Sequence, residues 1–425
     1  MHIELIAIGD ELLDGRTRDA NFHYLGGKLR ERGSTLERVI VVADEPDRLV
    51  RLFQESAKRA DLIITSGGLG PTRDDRTRSA VARAANKELE FHEEILARIQ
   101  EYFDQREMEM PAINRRQAMI PKGATIHRNP NGTADAFEVD IDGTPLIALP
   151  GVPFEFRYLV DELILPRLAG DTPRSFKEFH VFGRGESELA LIIEGLEIPK
   201  DVKITWRPNF PVLTVELSVD PGSEALLEKA YDDIIEQIAP WTYLSTHQSA
   251  CAPLAELLLE NHWTMATAES CTGGRIASKL TDIPGAADWF KRGYVTYSND
   301  AKQTDLGVPA KALEEHGAVS REVAEAMAQG ARAIAKTTIA IAVTGIAGPT
   351  GGTKEKPIGR VFLCAATQNQ TVTLEVQAPK TTRKGFKKYV TEFAMLITLR
   401  TLQDRAEELE PFRGVRALHI TQEPA

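Results

Sequence analysis

Cysteine is scarce in this 425-residue chain: only Cys251, Cys271 and Cys364, each alone in its neighbourhood. That excludes a disulfide framework and a Cys-x-x-Cys metal site, and it suits a reducing compartment. No apolar run approaches the roughly 18 residues of a membrane-spanning helix. The opening Met1-His2-Ile3-Glu4 has neither the basic nor the apolar region of a secretory leader, so a cytoplasmic protein is expected. Positive charge is in deficit, with 51 Lys and Arg against 62 Asp and Glu and a formal net charge of −11. This argues against direct nucleic-acid binding, although a local basic patch is compatible with it. Short repeats and low-complexity tracts are also missing.

The remaining composition, 42% hydrophobic and 27% charged, is that of a globular protein. The length exceeds one ordinary core, so two or three domains are expected. Up to about residue 170, apolar segments alternate with amphipathic ones: strands at Ile3–Ile8, Arg38–Val42, Leu62–Thr65 and Leu146–Leu149. Helices are expected between them, with another from Phe154 to about Leu168. This rhythm predicts an α/β, doubly wound parallel sheet covered on both faces. Gly170-Asp171-Thr172-Pro173 breaks it as a linker. Residues 174–246 read as a small α+β module. Its Gly183-Arg184-Gly185-Glu186 fits either a phosphate contact or, more simply, a turn and helix start. Thr246-His247-Gln248-Ser249-Ala250 is a second joint, and residues 250–410 read as a third α/β unit. The tail after Pro411 is expected to be extended or weakly docked.

Two loop sets carry chemistry. Ser66-Gly67-Gly68-Leu69-Gly70-Pro71-Thr72-Arg73-Asp74-Asp75 follows a strand and precedes a helix. Its backbone amides can face an anion. Arg73 can clamp a phosphate, while Asp74 and Asp75 can hold a divalent cation or simply cap the helix. Asp10 and Glu11, at the end of the first strand, can add metal or ribose contacts or be solvated. In the third unit, Ala268-Glu269-Ser270-Cys271-Thr272-Gly273-Gly274 places a serine between a strand and a helix, a position open to capping or to a nucleophile beside N–H donors. The loops holding Tyr297 to Lys302 and Thr344 to Gly352 lie at further strand ends and can meet it at one sheet edge.

A serine nucleophile needs a base. No histidine sits in these loops, no Gly-x-Ser-x-Gly elbow surrounds Ser270, and no Ser-x-x-Lys begins there. Lys279 is about 13 Å along the following helix, too far to serve. Lys302 is the best-placed amine, provided that burial or a nearby cation lowers its pKa; a drop of about three units corresponds to about 4 kcal/mol. Cys271 fits a small buried residue better than a thiol nucleophile.

Taken together, Gly67 to Asp75, Thr267 to Gly274, Tyr297 to Lys302, His316-Gly317-Ala318-Val319-Ser320 and Thr344 to Pro349 resemble the signatures of the competence/damage-inducible protein CinA family over nearly the whole chain. The resemblance implies a molybdopterin-binding-like amino-terminal domain with metal-dependent ADP-ribose pyrophosphatase activity. It also implies a KH-like middle module and a carboxy-terminal nicotinamide mononucleotide deamidase domain. It carries the nucleophile onto Ser270, the tyrosine onto Tyr297, the lysine onto Lys302 and a supporting hydroxyl onto Thr344, with the Ser270 hydroxyl, the Tyr297 phenol and the Lys302 amine expected to touch so that Tyr297 and Lys302 move the serine proton. Substrate contacts fall on Cys271, Thr272, Gly273, Gly274, Gly345, Gly348 and, more loosely, Arg383. In the amino-terminal site they fall on Gly67, Gly68, Gly70, Thr72 and Arg73, with Asp10, Glu11, Asp74 and Asp75 around a divalent metal ion. No cofactor is implied for the carboxy-terminal site, and a homodimer is expected. A non-catalytic protein that binds a nucleotide or pterin and acts as a competence or DNA-damage partner is the alternative. Asp135 within Gly132-Thr133-Ala134-Asp135-Ala136, and Thr350 where glycine is frequent, depart from the family pattern.

Overall fold

The computed structural model describes residues 1–168, 174–243 and 249–422. The linker Gly170-Asp171-Thr172-Pro173 and Thr246-His247-Gln248 of the second joint lie outside the described residues. The chain divides into two compact units, Met1–Arg174 and Ser175–Ala425.

In the first unit, strands β1 (Ile3–Ile8), β2 (Leu36–Val42), β3 (Leu62–Ser66), β4 (Thr125–His127), β5 (Ala136–Ile141) and β6 (Thr144–Leu149) form one sheet in the order β2-β1-β3-β6-β5-β4. Every residue of β1 and β3 is buried, as expected for central strands covered on both faces. Ile6 and Ile8 pack with Leu49, Phe53 and Val81 on one face. Ile3 and Leu5 pack with Leu25, Phe156 and Leu159 on the other. The four expected strands pair in parallel, and two further strands add an antiparallel edge, where β5 runs antiparallel to β6 and β4 to β5. The cause is the two-residue turn Asp142-Gly143, with φ of 52° and 91°, the geometry that folds a strand straight back as a hairpin.

The second unit contains two sheets. Strands β7 (Ser175–Phe182), β8 (Lys203–Asn209), β9 (Val212–Val219) and β10 (Thr242–Tyr243) pair in the order β8-β9-β7-β10, all antiparallel. Helices Glu186–Glu194 and Glu224–Ile238 pack on this small sheet. Its Phe182 and Val212 also join the carboxy-terminal core, with the Phe182 and Phe393 rings 4.7 Å apart. The module expected at residues 174–246 therefore shares one compact unit with the carboxy-terminal α/β domain.

The larger sheet comprises β11 (Met265–Glu269), β12 (Phe290–Val295), β13 (Ile339–Gly345), β14 (Arg360–Ala366), β15 (Gln370–Gln377) and β16 (Val415–Gln422), ordered β12-β11-β13-β14-β15-β16. Helix Arg321–Ala335 covers one face over the alanines of β11 and β13, and helices Cys251–Glu260 and Arg383–Leu402 cover the other. The tail after Pro411 is not loosely docked: it supplies the antiparallel edge strand β16, with Val415 and Leu418 against the core. Strands β11, β12 and β13 are mutually parallel, so the loops that follow Glu269, Val295 and Gly345 emerge side by side. No helix among the described residues is long and apolar enough to cross a membrane.

Candidate active site

Ser270 is held between a strand and a helix by its neighbour. Glu269 ends β11 and is fully buried. Its carboxylate accepts the N–H groups of Ile276 at 3.0 Å and Ala277 at 2.8 Å, in the first turn of helix Arg275–Thr281. A buried acid is thereby satisfied by donors that a helix start leaves unpaired, at the positive end of its dipole. The Ser270 N–H donates to Val343 O at 3.0 Å, and the Gly273 N–H to Ser270 O at 3.1 Å. Gly274 closes the turn with φ 85°, a conformation that glycine adopts without steric cost. The N–H groups of Thr272 and Gly274 have no partner among the described residues.

Lys302 enters from helix Asn299–Leu306, whose start is capped by Ser298 Oγ accepting the Ala301 N–H at 3.0 Å. Lys302 is only 1% exposed. Its Nζ lies 3.2 Å from Ser270 Oγ, 2.8 Å from Thr296 O and 3.5 Å from Ser298 O. No carboxylate among the described residues pairs with it, and burial holds its pKa below the ordinary 10.5. This is the arrangement in which a lysine can take a proton from a hydroxyl. Burial pushes the Cys271 thiol up to about 12, so it is inert beside the serine.

The other expected members, Tyr297 and Thr344, make no hydrogen bond to this pair among the described residues. Tyr297 is 59% exposed, and its hydroxyl accepts Arg383 Nη2 at 2.6 Å. It makes no hydrogen bond to Ser270 or Lys302, so the three-way contact of hydroxyl, phenol and amine reduces to hydroxyl and amine. The reason is position: Tyr297 lies two residues beyond β12, in reach of the helix Arg383–Leu402. Arg383 also donates through Nη1 to Gly348 O at 2.7 Å, tying two strand-end loops together. Thr344 is buried, with Oγ1 donating to Ala318 O at 2.6 Å; it braces the His316 to Ser320 segment. Gly345 abuts β14, where an added Cβ would lie 2.8 Å from Val361 Cβ. Lys387, missed by sequence reasoning, puts Nζ 3.4 Å from where a Cβ on Gly273 would sit. It follows Arg383 by four residues, on the same helix face, which was the available signal.

The amino-terminal loop set encloses a cleft of about 520 Å³ lined by Gly67, Gly68, Gly70, Thr72, Asp74, Asp75 and Glu11 among others. Gly67 has φ 107°, and a Cβ there would lie 2.4 Å from Ile8 O, so the loop can pass only as glycine. Both Asp75 oxygens are engaged: they accept Gly70 N–H at 2.8 Å, Thr72 N–H at 2.7 Å and Thr72 Oγ1 at 2.6 Å. Buried Arg78 donates to the Leu69 and Gly70 carbonyls at 2.5 Å and 2.7 Å. Neither Arg73 nor Asp10 lines the cleft, and the cation on its wall is Arg18. Asp44, also missed, has its carboxyl pushed up to about 6 by burial and then by the charges of Asp10, Asp75, Glu11 and Asp74. Its Oδ1 is buried without a hydrogen-bond partner among the described residues. The departing residue Asp135 accepts the Asn129 N–H at 2.9 Å and pairs with Arg98.

Among the described residues no group of three His, Cys, Asp or Glu is gathered to hold a metal ion. The quartet Asp10, Glu11, Asp74 and Asp75 is therefore not a closed cage. The cleft-wall carboxylates that accept no hydrogen bond among the described residues are those of Glu11, Asp44 and Asp74. These fit a magnesium-like cation that takes most of its remaining ligands from water and a substrate phosphate.

Residues 4–170 match the family model described as a probable molybdopterin binding domain, and residues 247–402 match the CinA C-terminal domain. A CinA-like protein of Geobacter sp. (strain M21) is 40% identical over 372 residues, covering 87% of this chain and 90% of the relative. The nicotinamide-nucleotide amidohydrolase PncC of Shewanella oneidensis is 36% identical over 388 residues, covering 90% of this chain and 92% of that protein. The crystal structure of competence/damage inducible protein CihA from Agrobacterium tumefaciens is 38% identical, covers 38% of this chain and 99% of its own, and aligns with a TM-score of 0.35. With identity at this level over most of both sequences, the chain belongs to the CinA family.

Proposed function

We propose that the carboxy-terminal domain hydrolyses the carboxamide of nicotinamide mononucleotide to nicotinate mononucleotide and ammonia. The observation that carries this reading is the buried Lys302 amine at 3.2 Å from Ser270 Oγ, with no acid paired to it among the described residues. The amidohydrolase name of the Shewanella oneidensis relative supports the substrate. Ser270 Oγ attacks the amide carbon while Lys302 Nζ takes its proton. The oxygen of the tetrahedral intermediate is stabilised by the Thr272 and Gly274 N–H groups, each such donor contributing about 3 kcal/mol in comparable sites. Lys302 returns the proton to the departing nitrogen and ammonia leaves. Water, deprotonated by Lys302, then cleaves the acyl ester. Tyr297, Arg383 and Lys387 surround the mouth and hold the nucleotide rather than move the proton.

In the amino-terminal cleft, the proposal is cleavage of the ADP-ribose diphosphate to AMP and ribose 5-phosphate. The glycine loop supplies N–H donors, and Glu11 and Asp74 would hold a divalent cation, whose chemistry is charge neutralisation on the phosphates. The protein is proposed to be a cytoplasmic homodimer. One experiment separates the two activities: purified protein is incubated with each nucleotide, and ammonia and AMP are assayed independently. Ammonia from the mononucleotide supports the first reading and AMP from ADP-ribose the second. Binding of both without either product would leave a nucleotide-binding protein.

A further inference from the structure

Within the second unit, away from the Ser270 loop, a cleft of about 810 Å³ opens where the small module meets the carboxy-terminal sheet. Arg184, Lys380, Arg413 and Arg416 line it and no carboxylate among the described residues does, in a chain whose net charge is −11. Among the described residues Lys380, Arg413 and Arg416 enter no ion pair, and all three are exposed. Arg184 lies with its guanidinium 4.1 Å above the Trp241 ring. Arg184 also lies 4.0 Å from Glu188, which leaves Lys380, Arg413 and Arg416 as cations without an acid; they repel one another, and an anion between them relieves that repulsion.

The cleft also has a flat, firmly backed apolar wall. Phe210 is 45% exposed and lies nearly parallel to Tyr389, with ring centres 6.1 Å apart and 14° between planes. Tyr389 is buried and donates its hydroxyl to Arg413 O at 2.8 Å. The two sides of the cleft are stapled by Arg413 N–H donating to Gly183 O at 2.9 Å. Gly185 starts the helix Glu186–Glu194, its N–H donating to Glu188 Oε2 at 3.0 Å. The simpler reading of the Gly183 to Glu186 segment, a turn and helix start, thus holds for its backbone, while Arg184 faces the cleft.

We propose that this cleft binds a mononucleotide, with its phosphate among Arg413, Arg416 and Lys380 and its base stacked on Phe210. An exposed aromatic beside unpaired cations is the combination that takes a planar base and its phosphate together, and the volume lies in the range of small-molecule sites. The proposal does not depend on either hydrolytic activity.

Calorimetric titration of the full chain with AMP tests it, with inorganic phosphate and adenosine as separate titrants. The variants are Arg413→Ala/Arg416→Ala and Phe210→Ala, whose side chains are exposed, so melting temperature and ammonia release from nicotinamide mononucleotide should stay as in the parent. The expected result is one AMP-binding step weakened tenfold or more in the double variant and severalfold in Phe210→Ala. Adenosine and phosphate should each bind that step more weakly than AMP. Unaltered AMP stoichiometry and affinity in both variants overturns the proposal. Weakening in the arginine variant with none in Phe210→Ala also overturns it, because it leaves only unspecific anion attraction.

Discussion

The buried Lys302 amine donates to the Thr296 carbonyl at 2.8 Å and reaches Ser270 Oγ at 3.2 Å, and no carboxylate among the described residues pairs with it. Its folded pKa lies below the ordinary 10.5. The neutral base therefore accumulates as pH rises through the folded value, and deamidation kcat/KM should climb and level off below pH 10.5. Lys302→Arg, protonated throughout, should lower the rate by about 10³-fold or more at every pH and abolish the rise. The same residue makes the fold more stable above pH 10.5 than below its folded pKa, since the unfolded chain holds this proton longer. A pH–rate profile and pH-dependent melting of both proteins check this.

Glu269→Gln should weaken the whole Ser270 turn. One oxygen facing a backbone N–H of Ile276 or Ala277 becomes an amide NH₂, setting donor against donor. The expected cost is about 2 kcal/mol, with a lower kcat because the nucleophile is no longer pinned. Thermal melting and steady-state kinetics on one preparation measure both effects.

Arg383→Lys should separate binding from chemistry. A single ammonium cannot bridge Gly348 O and Tyr297 Oη as the guanidinium does. KM for nicotinamide mononucleotide should rise about tenfold with kcat changed far less, because Ser270 and Lys302 are untouched. An equal fall in kcat would assign Arg383 to the chemical step.

Asp44→Asn should stabilise the amino-terminal unit at alkaline pH. Asp44 titrates at about 6 when folded against an ordinary 3.8. Its stabilising contribution is complete below pH 3.8 and is lost as pH rises through about 6. Removing the charge should gain about 1 kcal/mol at pH 8, after discounting for solvent screening, and nothing at pH 4. A magnesium salt should raise the parent melting temperature at pH 8 more than that of the variant, because the cation screens the same repulsion.

Sequence legibility followed the strength of local signals. Strands Ile3–Ile8 and Arg360–Ala366 are apolar but for one charged residue each and are read to the residue. Strand Ala136–Ile141 is interrupted by Glu138 and Asp140, and Val415–Gln422 by Arg416 and His419; these patterns look polar until a neighbouring strand pairs with them. The Ser270 and Lys302 loops were visible as strand ends, and parallel pairing brings them together. The Tyr297 partner was not, because Arg383 is 86 residues away and nothing local announces it. Asp44, between Ala43 and Glu45, reads as a surface turn; only the folded cleft buries it.

The most direct measurement is ammonia release from nicotinamide mononucleotide by Ser270→Ala beside the parent protein, with AMP release from ADP-ribose followed in the same samples. If Ser270 is the nucleophile, ammonia production falls by about 10³-fold or more while the melting temperature and AMP production hold. Ammonia production at the parental rate would remove Ser270, and with it the serine–lysine chemistry, from this protein.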